Sequence, residues 1–150
     1  MSLATIRARL KSLIQTATSL THTVYDYRRY SADLATYEKL FKTGILIHTW
    51  EIERQRVERN SHGGSGGVED MINTIVVRGF YRVNDELASE KTFQDIVDSV
   101  CEDFVEDPTL NASAIIIQNP ITADITQEMF AHVLCHKAEI ILNIQDRRTF

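Results

Sequence analysis

Two periods of apolar residues meet between Met71 and Phe104, and the rest of the chain can be arranged around that junction. MINTIVVRGFYRV reads as a strand, with Ile75, Val76 and Val77 apolar in succession, as expected where a strand is covered on both faces. After the turn NDE the period changes. LASEKTFQDIVDSVCEDF places Leu87, Phe93, Ile96, Val97, Val100, Cys101 and Phe104 on one helical stripe. A buried strand feeding a helix that packs back onto its sheet is the nucleus of an α+β domain.

The remaining elements follow in order. Residues 3–20 form an amphipathic helix with Ile6, Leu10, Leu13, Ile14, Ala17 and Leu20 on one face. YDYRRY has no clear period and reads as irregular. Ser31 can cap a second helix whose apolar side is Leu34, Tyr37, Leu40 and Phe41, with Gly44 as its stop. From Ile45 to Arg59 the pattern alternates: Leu46, His48, Trp50 and Ile52 share one face, and the tip ERQRVERN is nearly all charged. SHGGSGG follows as a flexible connection, so 45–59 and the Met71 strand make a long hairpin closed by a loop over 60–70.

Beyond the helix, Asp107-Pro108 acts as a stop and ASAIIIQ (112–118) as a short strand. Asn119-Pro120 turns the chain, and ITADITQEMF stays open between strand and loop. Residues 131–146 alternate, with His132, Leu134, His136, Ala138, Ile140 and Leu142 on one face. They read as a strand, with a helix over HVLCHKAEI as the alternative, and DRRTF as a surface tail. The expectation is an α+β domain over 1–150: a sheet of about four strands, mostly antiparallel, with a long projecting hairpin and helices packed on one face.

Composition narrows the function classes. At 150 residues, 43% apolar and 25% charged, the chain has the profile of a single globular domain. A net charge of −5 argues mildly against a general nucleic-acid binder. No apolar run is long enough for a membrane span, and Arg7, Arg9 and Lys11 interrupt what a signal peptide would keep apolar. Cys101 and Cys135 sit in apolar periodic segments, which suits free buried thiols and a cytoplasmic setting.

Candidate chemistry is sparse. His132, Cys135 and His136 do not converge if they lie on a strand, so no metal site is expected. GGSGG lacks the lysine and the strand-to-helix setting of a phosphate loop. Cys101 faces the core and is a poor nucleophile candidate. No catalytic residue, cofactor site or metal ligand is assigned, and no enzyme is expected. Arg54, Arg56 and Arg59 on the projecting strand are open to three readings: a solvated tip, a subunit interface or a nucleic-acid contact. Glu51, Glu53 and Glu58 on the same strand favour pairing with protein over a phosphate track. Glu102, Asp103, Glu106 and Asp107 place like charge at a helix C-terminus, which is slightly unfavourable unless it faces a basic partner. Trp50, Arg54, Arg56, Arg59, Glu102, Asp103 and Glu106 are therefore the candidate interface residues.

Three stretches together carry a resemblance: FKTGILIHTWEIERQRVER before the glycine-rich gap, NTIVVRGFYRVNDELASEKTFQDIVDSV, and SAIIIQNP with HKAEIILNIQDR. In order and spacing over residues 3–146 they resemble the tail-terminator (neck) proteins of long-tailed bacteriophages, the lambda-type family. The resemblance implies an α+β subunit of a homohexameric ring at the head-proximal end of the tail tube. Such a ring ends tube polymerisation and meets the head-completion (connector) protein. It has no catalysis and no cofactor. It also implies a virion location after assembly in the host cytoplasm, with DNA passing through the lumen without specific contacts. Another neck component, or a small α+β enzyme or ligand-binding domain, is the alternative. The loop over 60–70 would order on assembly.

Overall fold

Strands and helices segregate by period in the computed structural model, which describes residues 2–20, 23–29, 42–43, 46–62, 67–112, 114–130 and 133–149. The elements are α1 (Leu3–Thr18), β1 (Val24–Tyr25), β2 (Lys42–Thr43), β3 (Leu46–His62), β4 (Val68–Arg82), α2 (Ser89–Glu106), β5 (Ile116–Phe130) and β6 (Val133–Thr149). The helix expected from Ser31 to Phe41, its stop at Gly44, and His132 lie outside the described residues.

The sheet order is β1-β3-β4-β6-β5, with β2 paired to β3 off that path. Each of the four long strands is antiparallel to its neighbours among them, and the two-residue β1 joins β3 in parallel, so the sheet is mixed. The α+β class and the face bearing the helices agree with the sequence. The projecting hairpin gains a third strand, because β6 pairs with β4 all the way from Arg82↔Cys135 to Val68↔Thr149. The charged end DRRT, expected as a surface tail, thus becomes the third strand of the arm. The loop is also shorter than 60–70, since His62 still pairs with Val68; residues 63–66 lie outside the described ones.

Both helices cover one face of the sheet. Ile6, Leu10 and Ile14 of α1 and Phe93, Val97, Val100 and Phe104 of α2 meet Trp50, Ile52, Ile75, Val77, Ala138, Ile140, Leu142 and Ile144. The apolar stripes of α1 and α2 thereby leave water, the main driving term of such a layer. The opposite face carries a smaller cluster, Ile47, Phe80, Phe130 and Cys135, in which the Phe80 and Phe130 rings stack at 3.8 Å. Val76 is buried beneath the helix-bearing layer, on the other side of the sheet from Ile75 and Val77, as its apolar run predicts.

Three expectations are corrected. Leu87 is not on the α2 stripe: it ends a 3-10 turn (Asp85–Leu87) and is 75% exposed. Ala88, at φ 52°, interrupts the helical path before Ser89 and swings Leu87 off the face. Asn119-Pro120 does not turn the chain. The strand runs on from Ile116 to Phe130, with a register shift between Gln118 and Thr122 that contains the cis Asn119–Pro120 bond. An edge strand accommodates proline at such an irregularity because no ladder donor is missed. The open segment ITADITQEMF is accordingly strand; before β5, Ala112 is turn and Ala114 and Ile115 are bend.

Candidate functional site

Trp50 belongs to the core. Its indole lies across the strand from Gly79, where an added Cβ would stand 2.6 Å from the ring, and it packs on Phe93. Being fully buried, it offers no interface surface, which corrects the expectation placed on it. The alternating pattern of β3 gave its face correctly and its exposure wrongly.

The three arginines of β3 take different environments along the arm. Arg54 is half-buried and donates to Asn73 Oδ1 at 3.3 Å. Arg59 pairs with Glu69 across the hairpin. Arg56 is exposed and has no ion pair among the described residues. On α2, Glu102 and Glu106 are exposed and Asp103 is half-buried. No hydrogen bond or ion pair joins this acidic set to the arginines among the described residues. Their neighbour Asp107 is engaged within the chain: burial would raise its carboxyl, but the Asn111 N–H and the Arg9 guanidinium at 2.8 Å hold it below the usual range.

Glu51 and Glu53, expected as part of a mixed-charge surface, turn inward on the face away from the helices. Glu53 receives Arg78 at 2.7 Å and Arg28 at 3.1 Å. Arg29 N–H donates to Glu51, whose carboxyl is raised by burial against the pull of Arg29, Arg28 and Arg78. Arg28 and Arg29 come from YDYRRY, the segment with no period. A paired network of this kind leaves no periodic trace, so only the unusual density of arginine and tyrosine could have signalled it. Arg29 also lies over the Tyr25 and Tyr27 rings.

A cavity of about 970 Å³ opens at the root of the sheet between Leu20, Ile47, His48, Tyr81, Val83 and Leu87. Burial lowers the His48 pKa to about 4, so its ring is neutral at pH 7 and accepts the Trp50 Nε1–H at 3.0 Å. Ser89 borders the same space. Its hydroxyl accepts the Asn84 N–H at 2.8 Å and lies 2.9 Å from His136 Nε2. The contact ties the α2 N-terminus to β6. Both side chains are buried, which suits a structural tie better than an exposed nucleophile.

Cys135 is buried and Cys101 half-buried, with burial, helped by Asp98 and Glu102, pushing the Cys101 thiol up to about 11. A thiol so raised is a weak nucleophile at neutral pH. No group of three metal-ligating side chains occurs among the described residues. No helix among them is long and apolar enough to cross a membrane.

The most extended unassigned features are the sheet edges. β5 pairs only with β6 in the described structure, and Thr122, Ala123, Asp124 and Thr126 to Met129 are exposed. On β3, the partner β1 reaches Glu51 and no further, and the strand is exposed at Gln55, Arg56 and from Glu58 to Ser61. No protein-family model matches the chain, and no curated protein matches it.

Proposed function

We propose that this chain is a structural subunit of a long-tailed bacteriophage. It assembles as a ring, of six copies by the family pattern, at the head-proximal end of the tail. There it ends tail-tube polymerisation and joins the tail to the head-completion protein. The resemblance of the three stretches supplies the reading. The observation that carries it furthest is the sheet itself: among the described residues β5 at one side, and β3 beyond Glu51 at the other, have no outer strand partner, and the two strands differ in sequence. A closed ring needs two different complementary surfaces on each subunit. The charged three-stranded arm gives a further surface suited to a protein partner such as the tube. On this reading the chain resides in the virion and does no catalysis.

The test is mass by light scattering over a concentration series, followed by imaging with purified tail tubes. A closed ring, or capping of one tube end by a chain that is otherwise monomeric, supports the proposal. A chain that stays monomeric and binds no tube end overturns it.

The cavity favours a second reading, a small α+β enzyme or ligand-binding domain, because its volume suits a small molecule. A compound that raises the melting temperature of the chain, and loses that effect when Leu87 is replaced by Asp at the rim, would support this reading.

A further inference from the structure

We infer that neighbouring copies join by adding the β5 edge of one chain to the outer edge of β3 in the next, in a fixed antiparallel register. The inference rests on the ring reading and specifies its interface. The directions of the strands come first. Across the sheet β3, β4, β6 and β5 alternate, so β3 and β5 run opposite ways. A copy rotated about an axis parallel to the strands would bring its β3 beside β5 in antiparallel orientation, with all helices on the same side. The alternation then continues from chain to chain without inverting a subunit, which a closed ring requires.

The second observation is the state of the edges. From Thr122 to Phe130 the β5 ladder to β6 is regular, and the outward N–H and C=O groups of alternate residues have no strand partner among the described residues. The irregularity that would blunt pairing lies at one end, between Gln118 and Thr122. Beyond Glu51 the outer side of β3 is likewise unpartnered among them.

Charge selects the register. Asp124 sits directly opposite Glu139 within the sheet, and Lys137 is already shared by Glu128 at 2.9 Å and Glu139 at 3.0 Å. Asp124 therefore faces a like charge with no cation of its own among the described residues. Arg56 is the matching exposed cation, and by cross-strand pairing it points, as Asp124 does, to the face away from the helices. Setting Asp124 against Arg56 also aligns Ala123 with Val57 and Thr122 with Glu58. Past the β3 irregularity at Gln55 it aligns Ile125 with Arg54, Thr126 with Glu53 and Gln127 with Ile52. Each pair shares a face, and at the next positions, Glu51 and Trp50, the two-residue β1 must give way to Glu128 and Met129 of the neighbour.

The experiment uses the full chain with Asp124→Arg, Arg56→Asp and the double swap, followed by light scattering. Asp124→Arg removes a like-charge pair and should leave the melting temperature unchanged or higher, so lost assembly is not lost folding. Each single swap should weaken association by at least about tenfold, and the double swap should restore it. In addition, an Arg56→Cys chain mixed with an Asp124→Cys chain should give an intermolecular disulfide under mild oxidation, since opposed strand residues lie within bridging distance. Rings that assemble alike in wild type and both single variants, without that disulfide, overturn edge pairing and leave the ring reading standing. Assembly that stops at two copies overturns the head-to-tail register. A wild-type chain that neither closes a ring nor binds tube ends overturns the ring reading itself.

Discussion

Trp50 and Arg59 lie on the same strand, and their surroundings have almost nothing in common. At Trp50 the sheet is sealed by shape: an indole over a glycine, a phenylalanine behind it, and two helices above. At Arg59 it is held by charge, with half-exposed arginines on more buried carboxylates: Arg59 to Glu69 on one side of β4 and Arg147 to Asp70 on the other. Close-packed apolar contacts lose energy steeply when an atom is removed or added, whereas exposed ion pairs contribute little to stability and remain free to be exchanged for a partner's charges. The root is thus where the fold is decided, and the arm is where surface chemistry can change without unfolding the domain.

The largest effect should come from Phe93→Ala. Phe93 is fully buried and contacts the Trp50, Tyr81 and His136 rings. The variant should lose about 3–5 kcal/mol in urea unfolding. A loss below about 1 kcal/mol would mean that the root is not the rigid region described above.

Next comes the acid response of the root. Unfolded His48 takes a proton near pH 6.5, but the buried ring resists protonation until about pH 4. The unfolded state therefore binds more protons in that window, and stability falls as pH drops from about 6.5 towards 4. The contribution reaches at most about 3 kcal/mol below that range. His48→Gln keeps an acceptor for the Trp50 indole N–H and removes the titration. Its unfolding free energy should fall less between pH 7 and pH 4.5 than that of the wild type; parallel curves would exclude His48 as the source.

Gly79→Ala probes the same region by addition. The new methyl would collide with the Trp50 ring, costing about 2 kcal/mol, and much of that cost should vanish in a Trp50→Phe background, which lacks the colliding benzo-ring atoms. Equal costs in both backgrounds would show that the collision is relieved elsewhere.

The same contrast explains what the sequence made legible. Periodicity exposed both described helices and the long strands β3, β4 and β6, because burial on one face imposes period on the residues; of β5 it showed only a short apolar start, since most of that edge strand is exposed. It failed where another force sets the structure. Leu87 fits the helical stripe in one dimension, but the left-handed Ala88 breaks the path. Trp50 reads as a large amphipathic side chain on a strand leading to a charged tip; only the cross-strand register reveals Gly79 beneath it. The third strand of the arm was hidden because DRRT has no apolar alternation, being held by Asp70 and the β4 backbone. β1 is too short for any pattern. The edges without a strand partner among the described residues, on which the proposed interface depends, are a property of sheet order and have no signature in either strand alone.

The smallest stability effect belongs at the arm, and its smallness is the point. Arg59 is about half exposed, so its pair with Glu69 is well screened, and Arg59→Gln should change the unfolding free energy by less than about 1 kcal/mol. A double-mutant cycle with Glu69→Gln isolates the pair, and the coupling should shrink further in 1 M salt. Glu69 itself is largely buried, so Glu69→Gln alone should cost more than Arg59→Gln through its lost contacts. A coupling energy comparable to the Phe93→Ala loss would place the arm in the cooperative core. A small coupling leaves the arm arginines available to a partner, with the stability of the domain carried at the root.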